Sequence, residues 1–334
     1  MKKILAVIIL FSSVSFCQLQ YSDISGMPGA FSRMGFGARG IGMGNAMSAV
    51  TEGNLVSYYN PALSVFQDRS NFQTSYSFLS LDRHLNFVSF TTRFDIHSYE
   101  GDNEEGIIRP VSSAGISVGL INSGVSNISA RDNEGVETGT ISTSENQAFI
   151  SLSKTFGSRF AAGVATKFYF YTLAEGLKAS GIGFDLGIIY KLNDNFNISG
   201  VVSDLNSKYK WDSTPLLGQD GITKEDAFPL LKKIGISYRN NEYRFLVATE
   251  LESSNAGTNI VRFGVEYNII EQFFLRGGID NFNLSNSDFP IRPSLGFSYF
   301  KSLGGDWMIG VDYAFVIEKY SPEDRHIIGI NVKF

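Results

Sequence analysis

The feature that most constrains this chain is an alternation of large apolar residues with small or polar ones, repeated along most of its length. In one such segment Ile182, Phe184 and Leu186 alternate with Gly183 and Asp185. Successive side chains of a β-strand point to opposite faces, so a period of two predicts strands with one apolar face and one polar or glycine-rich face.

Fourteen segments with this pattern follow residue 70. They span about 71-80, 84-94, 113-124, 145-155, 159-172, 181-191, 195-204, 230-239, 242-251, 260-269, 272-282, 293-301, 306-318 and 325-334. Strands with an apolar outside and a polar inside are typical of membrane barrels, and single-chain bacterial barrels have even strand numbers. We therefore predict an all-β fold, a transmembrane antiparallel β-barrel of about 14 strands.

The N-terminus is typical of a secretory signal peptide. Lys2 and Lys3 precede the apolar run from Ile4 to Phe11, and small residues lie just before Gln18. We predict that residues 1-17 are the signal peptide and that the mature chain begins at Gln18.

Cys17 is the only cysteine and allows an alternative, a lipoprotein acylated at that residue. The bulky Phe16 before it fits a lipoprotein signal poorly. Cleavage before Gln18 leaves a mature chain with neither disulfides nor thiolate metal sites. Removing Lys2 and Lys3 leaves 26 of the 28 basic residues against 33 acidic ones, a formal net charge of −7, which argues against nucleic acid as a partner.

The predicted connections indicate the orientation. Followed back from the C-terminus, long and short connections alternate. The long ones are Lys319 to Arg325, Asn283 to Arg292 and Glu250 to Asn259. The short ones that alternate with them are Lys301 to Gly305, Ile270 to Glu271 and Asn240 to Asn241. Short periplasmic turns and long outer loops are the rule for outer-membrane barrels. We therefore predict that the protein lies in the bacterial outer membrane in contact with its lipid, and that both termini are in the periplasm. The connection 95-111 is too long for this rule, so it is either an insertion or a sign of wrong pairing.

The chain ends on an alternating apolar face formed by Ile330, Val332 and Phe334. A final strand with a terminal aromatic residue resembles the signal by which the barrel-assembly machinery recognises its clients. We predict this machinery as a partner during assembly.

A glycine-rich segment lies between the signal peptide and the first strand. Gly35, Gly37 and Gly40 have the spacing of a dinucleotide fingerprint, but no strand precedes them and Glu52 is too close to contact a ribose. We interpret the glycines as positions of tight packing, and expect no cofactor.

The same segment carries a recognisable motif: Gly37, Ala38, Arg39, Gly42, Met43, Gly44, Asn60, Pro61 and Ala62. It resembles the N-terminal motif of the PorV/PorQ family, outer-membrane proteins within the FadL-like group of fourteen-stranded barrels. The chain departs from the family pattern at Asn45, where a further glycine is usual, and at residues 51 to 53, which replace a more acidic pair. The resemblance implies that residues 18-70 form a plug in the barrel, with the Asn-Pro-Ala turn against the wall, and residues 71-334 the barrel itself.

The resemblance implies two possible functions. PorV-like members serve type IX protein secretion by binding cargo with C-terminal secretion domains and handing it to other secretion components, which is our first prediction. FadL-like members pass hydrophobic small molecules across the outer membrane, which is the alternative. The connection of residues 206 to 229 favours the first because it offers a candidate partner surface: Tyr209, Trp211, Leu216, Leu217 and Phe228.

An enzyme is not expected, because the three histidines, His84, His97 and His326, are too scattered for a catalytic triad or a metal site. The acidic run of residues 131 to 135 is interpreted as a solvated loop in preference to a calcium site.

Seven charged residues fall on the polar face of the predicted strands: Lys167, Asp185, Arg262, Glu266, Arg276, Asp280 and Asp312. They could line a pore, but we expect them to pair with one another and with the plug, because unpaired charges in a closed lumen are costly.

We predict that deleting Phe334, or the substitution Phe334→Asp, lowers barrel insertion because it removes the end of the apolar face read at assembly. The measurement is the fraction of heat-modifiable folded protein in outer membranes. An unchanged fraction would count against the assembly signal.

Overall fold

The computed structural model describes residues 22–97, 110–174, 177–286 and 288–334. The predicted signal peptide and its cleavage site lie outside these residues, as does most of the long connection predicted at 95-111.

Within these described ranges, sixteen β-strands make up a single antiparallel sheet. They are β1 (Asn71–Phe78), β2 (Arg83–His97), β3 (Pro110–Arg131), β4 (Glu137–Phe156), β5 (Phe160–Ala174), β6 (Leu177–Lys191), β7 (Phe196–Leu205), β8 (Lys208–Asp212), β9 (Thr223–Ala227), β10 (Leu231–Asn240), β11 (Phe245–Ser254), β12 (Asn259–Ile270), β13 (Phe273–Asn283), β14 (Arg292–Gly304), β15 (Trp307–Val316) and β16 (Arg325–Lys333).

Fourteen of these strands close into a barrel, as predicted. Each strand pairs with its neighbours along the chain, except that β7 pairs with β10 across the hairpin β8–β9, and the ring closes between β1 and β16. The sequence missed β8 and β9, which lie within the longest connection and attach to β6. It also underestimated the hairpin of β3 and β4, whose strands have 22 and 20 residues.

The two faces of the strands are those that the alternation predicts. On β6, the side chains of Ile182, Phe184, Leu186, Ile188 and Tyr190 are between 38% and 49% exposed, while the alternate positions Gly183, Asp185 and Gly187 are buried. The outer surface is therefore apolar around the barrel, which suits lipid, and polar side chains point inward.

The connections define two ends of the barrel. Residues 271–272 and 305–306 form short turns at the end where β1 begins and β16 ends, whereas 206–230, 284–291 and 317–324 form long connections at the opposite end. By the rule for outer-membrane barrels the first end is periplasmic and the second is the outer end.

One prediction of a length difference is wrong: the connections 241–244 and 255–258 have equal lengths, because β11 continues to Ser254. β2 and β3 pair up to His97 and Pro110, so the strand pairing beside the 95-111 connection was correct.

Residues 22 to 70 precede the barrel and contain only short helical turns. These are the 3-10 turns Asp23–Gly26, Ala30–Arg33 and Pro61–Phe66 and the α-turn Ala38–Gly42; Thr214–Leu217 and Gly218–Asp220 form similar turns between β8 and β9. No helix among the described residues is long and apolar enough to cross a membrane.

This N-terminal segment packs against inward-facing positions of the barrel strands. Its backbone approaches Gly115 on β3, Gly163 on β5, Gly264 on β12 and Gly278 on β13 so closely that a Cβ atom at any of these glycines would collide with it. Ser22 contacts Ala256 at the outer end, so the segment extends along the lumen from the outer to the periplasmic end. Its limits at 18-70 and its role as a plug stay predictions.

The hydrophobic core lies between the segment and the wall. Met43, Leu55 and Leu63 of the segment are fully buried and belong to one cluster with Ile121 and Tyr169 of the strands. Folding of the barrel and packing of the segment are therefore coupled through shared buried area.

We predict that Gly44→Ala lowers the free energy of unfolding by about 1 to 3 kcal/mol, because the new methyl group would overpack against the backbone of Ile279. Gly44 also has a φ of +58°, which an alanine adopts only with strain. The measurement is urea unfolding in detergent micelles. Gly26→Ala is the matched control, because a Cβ at Gly26 meets no atom within 4 Å, and equal losses in both variants would contradict the packing.

Candidate functional site

The lumen holds a cluster of buried charges on β10 to β13. The guanidinium of Arg262 forms ion pairs with Glu250 at 2.9 Å, Glu252 at 3.0 Å and Asp280 at 2.7 Å. Lys233 adds a second cation, 3.4 Å from Glu252. Of these five residues the sequence predicted only Arg262 and Asp280.

A second cluster joins the N-terminal segment to the wall. Glu266 lies between Arg39, at 2.8 Å, and Arg276, at 2.6 Å. Burial disfavours the Arg39 cation, but the negative charge and hydrogen bonds of Glu266 outweigh this and raise the pKa of Arg39 above its ordinary value. Arg276 also donates to Ser298, which in turn donates to Asp312.

Further hydrogen bonds fix residues of the segment within the motif and beside it. The Asn45 amide donates to Asp280 at 2.9 Å, and the Ser48 backbone N–H donates to Glu250 at 3.3 Å. Across the lumen, the Asn60 side chain caps the Pro61–Phe66 turn and donates to the Ile188 carbonyl of β6 at 3.2 Å. The segment is therefore held by side-chain carboxylates on one wall and by close backbone contact on both walls.

The remaining motif residues explain how the segment comes so close to the wall. Ala38 and Met43 are buried, Gly37 begins the α-turn with a φ of +74°, and the Gly42 carbonyl accepts a hydrogen bond from Ser294 of β14 at 3.3 Å. Ala38 and the glycines leave room for backbone contact, and Met43 belongs to the buried core.

One stretch of the barrel wall lacks a strand partner, and we call it the seam. β6 pairs with β8 through Lys178 to Ser180 and with β7 from Phe184 onward. Between them, Gly181, Ile182 and Gly183 pair with β5 on one side, but on the other side the described chain gives them no cross-strand partner.

The chain that follows β7 covers the inner side of the seam. A Cβ at Gly181 would collide with the Lys208 carbonyl, and one at Gly183 would collide with the Ser207 side chain. Asp204 and Asn206 have φ values of +63° and +56°, so a strained bend turns the chain away from the wall at this point. Contacts of side chains and carbonyls, in place of a hydrogen-bonded ladder, close the seam.

A third charge cluster lies beneath the seam. The Lys167 ammonium is 2.7 Å from Asp185 and 3.0 Å from Asp204, and all three residues are buried. Tyr169 donates to Asp204 at 2.7 Å, and the Asp204 N–H donates to Asp185 at 2.8 Å. These bonds hold the strained bend at Asp204 in place.

An outer pocket of about 390 Å³ lies against the outward side of the seam. The lipid-facing side chains of Phe168, Phe170 and Ile182 form its apolar part. Lys208 and Lys210 of β8 form part of its polar rim. The pocket and the lumen are thus separated by the seam and by the chain of residues 206 to 208 that covers it.

Aromatic residues fill the outer end of the lumen on the other side of the seam. The Phe228 ring lies 4.6 Å from that of Tyr169 and 4.9 Å from that of Tyr209. The Trp211 ring lies 5.2 Å from that of Tyr171, and both side chains are half-buried.

This arrangement corrects part of the predicted partner surface. Tyr209 is fully buried and Phe228 is 3% exposed, because the hairpin β8–β9 folds inward over the lumen. Burial also raises the pKa of Tyr209. Leu216 is exposed, Trp211 is half-buried, and the side chain of Leu217 lies outside the described part of the chain.

The residues of the predicted assembly signal all face outward or toward the periplasmic end. Ile330 and Phe334 are exposed, and Val332 is half-exposed. The Phe334 ring stacks on Trp307 at 4.9 Å, at the point where β16 meets β15.

Solved structures share the fold of the chain. A CymD monoaromatic hydrocarbon channel is 15% identical, with a TM-score of 0.61 over 91% of this chain and 99% of that one. The toluene transporter TodX of Pseudomonas putida is 15% identical, with a TM-score of 0.56 over 89% and 96%. A FadL homologue of Pseudomonas aeruginosa is 12% identical, with a TM-score of 0.51 over 88% and 97%.

No protein family and no curated protein matches the sequence significantly. The structural likeness, at these identities, shows the fold. Together with the apolar outer surface, it identifies the chain as a bacterial outer-membrane β-barrel. The finer assignment to PorV/PorQ receives no support from the comparisons.

We predict that Lys167→Met lowers the free energy of unfolding by about 3 to 5 kcal/mol, because it leaves the buried carboxylates of Asp185 and Asp204 without a counter-charge. The measurement is urea unfolding followed by the fluorescence of the two tryptophans.

The control is Lys154→Met, which removes an exposed lysine of β4 and should change stability by no more than about 0.5 kcal/mol. Adding Asp185→Asn and Asp204→Asn to Lys167→Met should restore part of the loss. If the Lys167→Met protein is as stable as the control, Lys167 does not neutralise the buried carboxylates of Asp185 and Asp204 as described.

Proposed function

We propose that the protein transports hydrophobic small molecules across the outer membrane, and that the seam is the place where the solute passes between lumen and bilayer. The observation that carries this proposal is the juxtaposition of the unpaired stretch Gly181 to Gly183 with the apolar outer pocket. A hydrogen-bonded wall opens only by breaking its ladder, whereas the seam opens when the chain of residues 206 to 208 moves.

The lumen side of the seam offers matching chemistry. Tyr169, Tyr171 and Phe228 surround it with ring faces and edges, which favour contact with apolar and aromatic solutes. The comparison proteins that are named as hydrocarbon channels and toluene transporters share this fold, which supports the same class of solute here.

The N-terminal segment is the second part of the proposal. It contacts the inner side of the barrel from the outer end to the periplasmic end, and these contacts support a role in blocking a straight aqueous path. We propose that it acts as the plug and that solute leaves sideways above it. Arg39, Asn45 and Asn60 would keep the plug seated while solute passes.

Type IX secretion, the first prediction from the sequence, is less well supported. The comparisons give no support for a secretion role. The burial of Tyr209 and Phe228 also removes two large residues from the surface on which that prediction depended.

We predict that a disulfide across the edge of the seam blocks transport. Ser180 and Lys210 are directly opposite each other on β6 and β8, a separation suited to a cross-strand disulfide. In the oxidised Ser180→Cys/Lys210→Cys variant, uptake of radiolabelled toluene and of a long-chain fatty acid should fall, and a reductant should restore it. Cys17 is the only native cysteine, so no other thiol interferes after signal cleavage.

The matched control is Leu295→Cys/Phe315→Cys, which bridges β14 and β15 in a fully paired part of the wall. Its oxidation should leave uptake unchanged. Release of a cargo with a C-terminal secretion domain is measured in the same strains. Normal uptake in the oxidised Ser180→Cys/Lys210→Cys variant would refute passage of solute through the seam. Loss of cargo release with normal uptake would favour a function in secretion.

A further inference from the structure

A cavity of about 110 Å³ lies at the periplasmic end of the lumen, between the N-terminal segment and strands β12 to β16. It is far from the seam, which is in the outer half of β6. We propose that this periplasmic cavity binds a small carboxylic acid with a single ring. The proposal goes beyond hydrophobic transport and concerns a different site.

The first observation is an amide without a partner. Asn54 lines the cavity and is only 3% exposed, yet among the described residues neither its Nδ2 nor its Oδ1 has a hydrogen-bond partner. Buried amides in proteins are normally satisfied. Both atoms are shielded in this conformation, so a rotation of the Asn54 side chain would offer a donor and an acceptor to a bound molecule.

The second observation is the Lys333 ammonium group, which has hydrogen-bond donors available for a ligand. Arg39 and Arg276 also line the cavity, but each already donates to Glu266. Lys333 is 8% exposed, and its one ion pair is a long contact of 3.4 Å with Asp68, whose side chain is 61% exposed. An ammonium group has three donors, so Lys333 can bind a carboxylate in exchange for this contact.

The third observation concerns the size and the walls of the cavity. The rings of Phe274 and Phe300 line it at right angles, with centroids 5.9 Å apart. A closed apolar cavity of about 150 Å³ holds benzene. The periplasmic cavity is smaller and extends to exposed Glu271, so it suits a single ring with part of its edge outside the cavity.

Charge at the mouth sets a further limit. Glu271 and Asp68 are carboxylates near the opening, so a second carboxylate on the ligand would meet repulsion there. The cavity should therefore prefer a monocarboxylate such as benzoate to a dicarboxylate such as phthalate. It should also prefer benzoate to benzamide, which has the same shape without the charge.

The test is isothermal titration calorimetry of the folded full-length barrel in neutral detergent with benzoate, phthalate and benzamide. We expect benzoate to bind most tightly. Lys333→Met should weaken it about tenfold or more, as loss of a charged hydrogen-bond partner does. Lys333→Arg should retain binding, and Asn54→Leu should weaken it.

Lys301→Met is the matched control, because Lys301 is an exposed lysine near the same end of the barrel and does not line the cavity. It should leave benzoate affinity unchanged. Asn54 lies outside the strands, so Asn54→Leu decides the matter if Lys333→Met fails to fold. Equal affinity for benzamide, no binding of benzoate, or unchanged affinity in both Lys333→Met and Asn54→Leu would overturn the proposal.

Discussion

A chain in hydrocarbon must satisfy its own backbone N–H and C=O groups, and this constraint governs the structure. Among the described residues, the fourteen barrel strands meet it mainly with ladders of cross-strand pairs, and the ring closes between β1 and β16. β6 departs from this between two paired stretches: Gly181, Ile182 and Gly183 lie between the residues that pair with β8 and those that pair with β7, and have a described partner on one side only. Two of the three are glycines, so the chain of residues 206 to 208 can lie directly against them. The stretch of β6 without a second strand partner is thus also a stretch with no side-chain bulk on its inner face.

The lumen depends on a second constraint, the cost of buried charge. Buried charges occur on the inner faces of β5 to β7, β10 to β13, β15 and β16, and the segment's backbone comes closest to the wall at glycines such as Gly115, Gly163 and Gly278. Arg39, Lys167 and Arg262 each face at least one carboxylate within 3 Å. Breaking one such pair leaves an uncompensated buried charge, so the Arg39–Glu266 pair favours one seating of the segment, and the other two pairs fix barrel strands to one another.

The fold could be read from the sequence because a barrel in lipid needs two chemically different strand faces. Residues 306 to 318 show the alternation plainly, and β15 has the predicted faces, with Trp307 and Val311 exposed and Asp312 buried. Glu250 and Glu252 also alternate with apolar residues, so the same signal could have found them. The hairpin β8–β9 escaped notice because each strand has only five residues.

The candidate site could not be predicted in the same way. The seam depends on the shift in register between Phe184 and Leu186, and a register shift leaves no mark in the alternation of one strand. The inward position of Tyr209 follows from pairing of β8 with β6, which is a long-range contact. Asn54 is identifiable only by what surrounds it, since a single asparagine in a loop carries no signal of burial.

The central claim is that an apolar solute occupies the wall at the seam on its way between lumen and bilayer. The most direct measurement is anomalous diffraction from crystals of the protein soaked in 4-bromotoluene. The account predicts a bromine peak between Ile182 and Tyr169, beside Gly181. Bromine confined to the detergent-covered outer surface or to the periplasmic end of the lumen would contradict it.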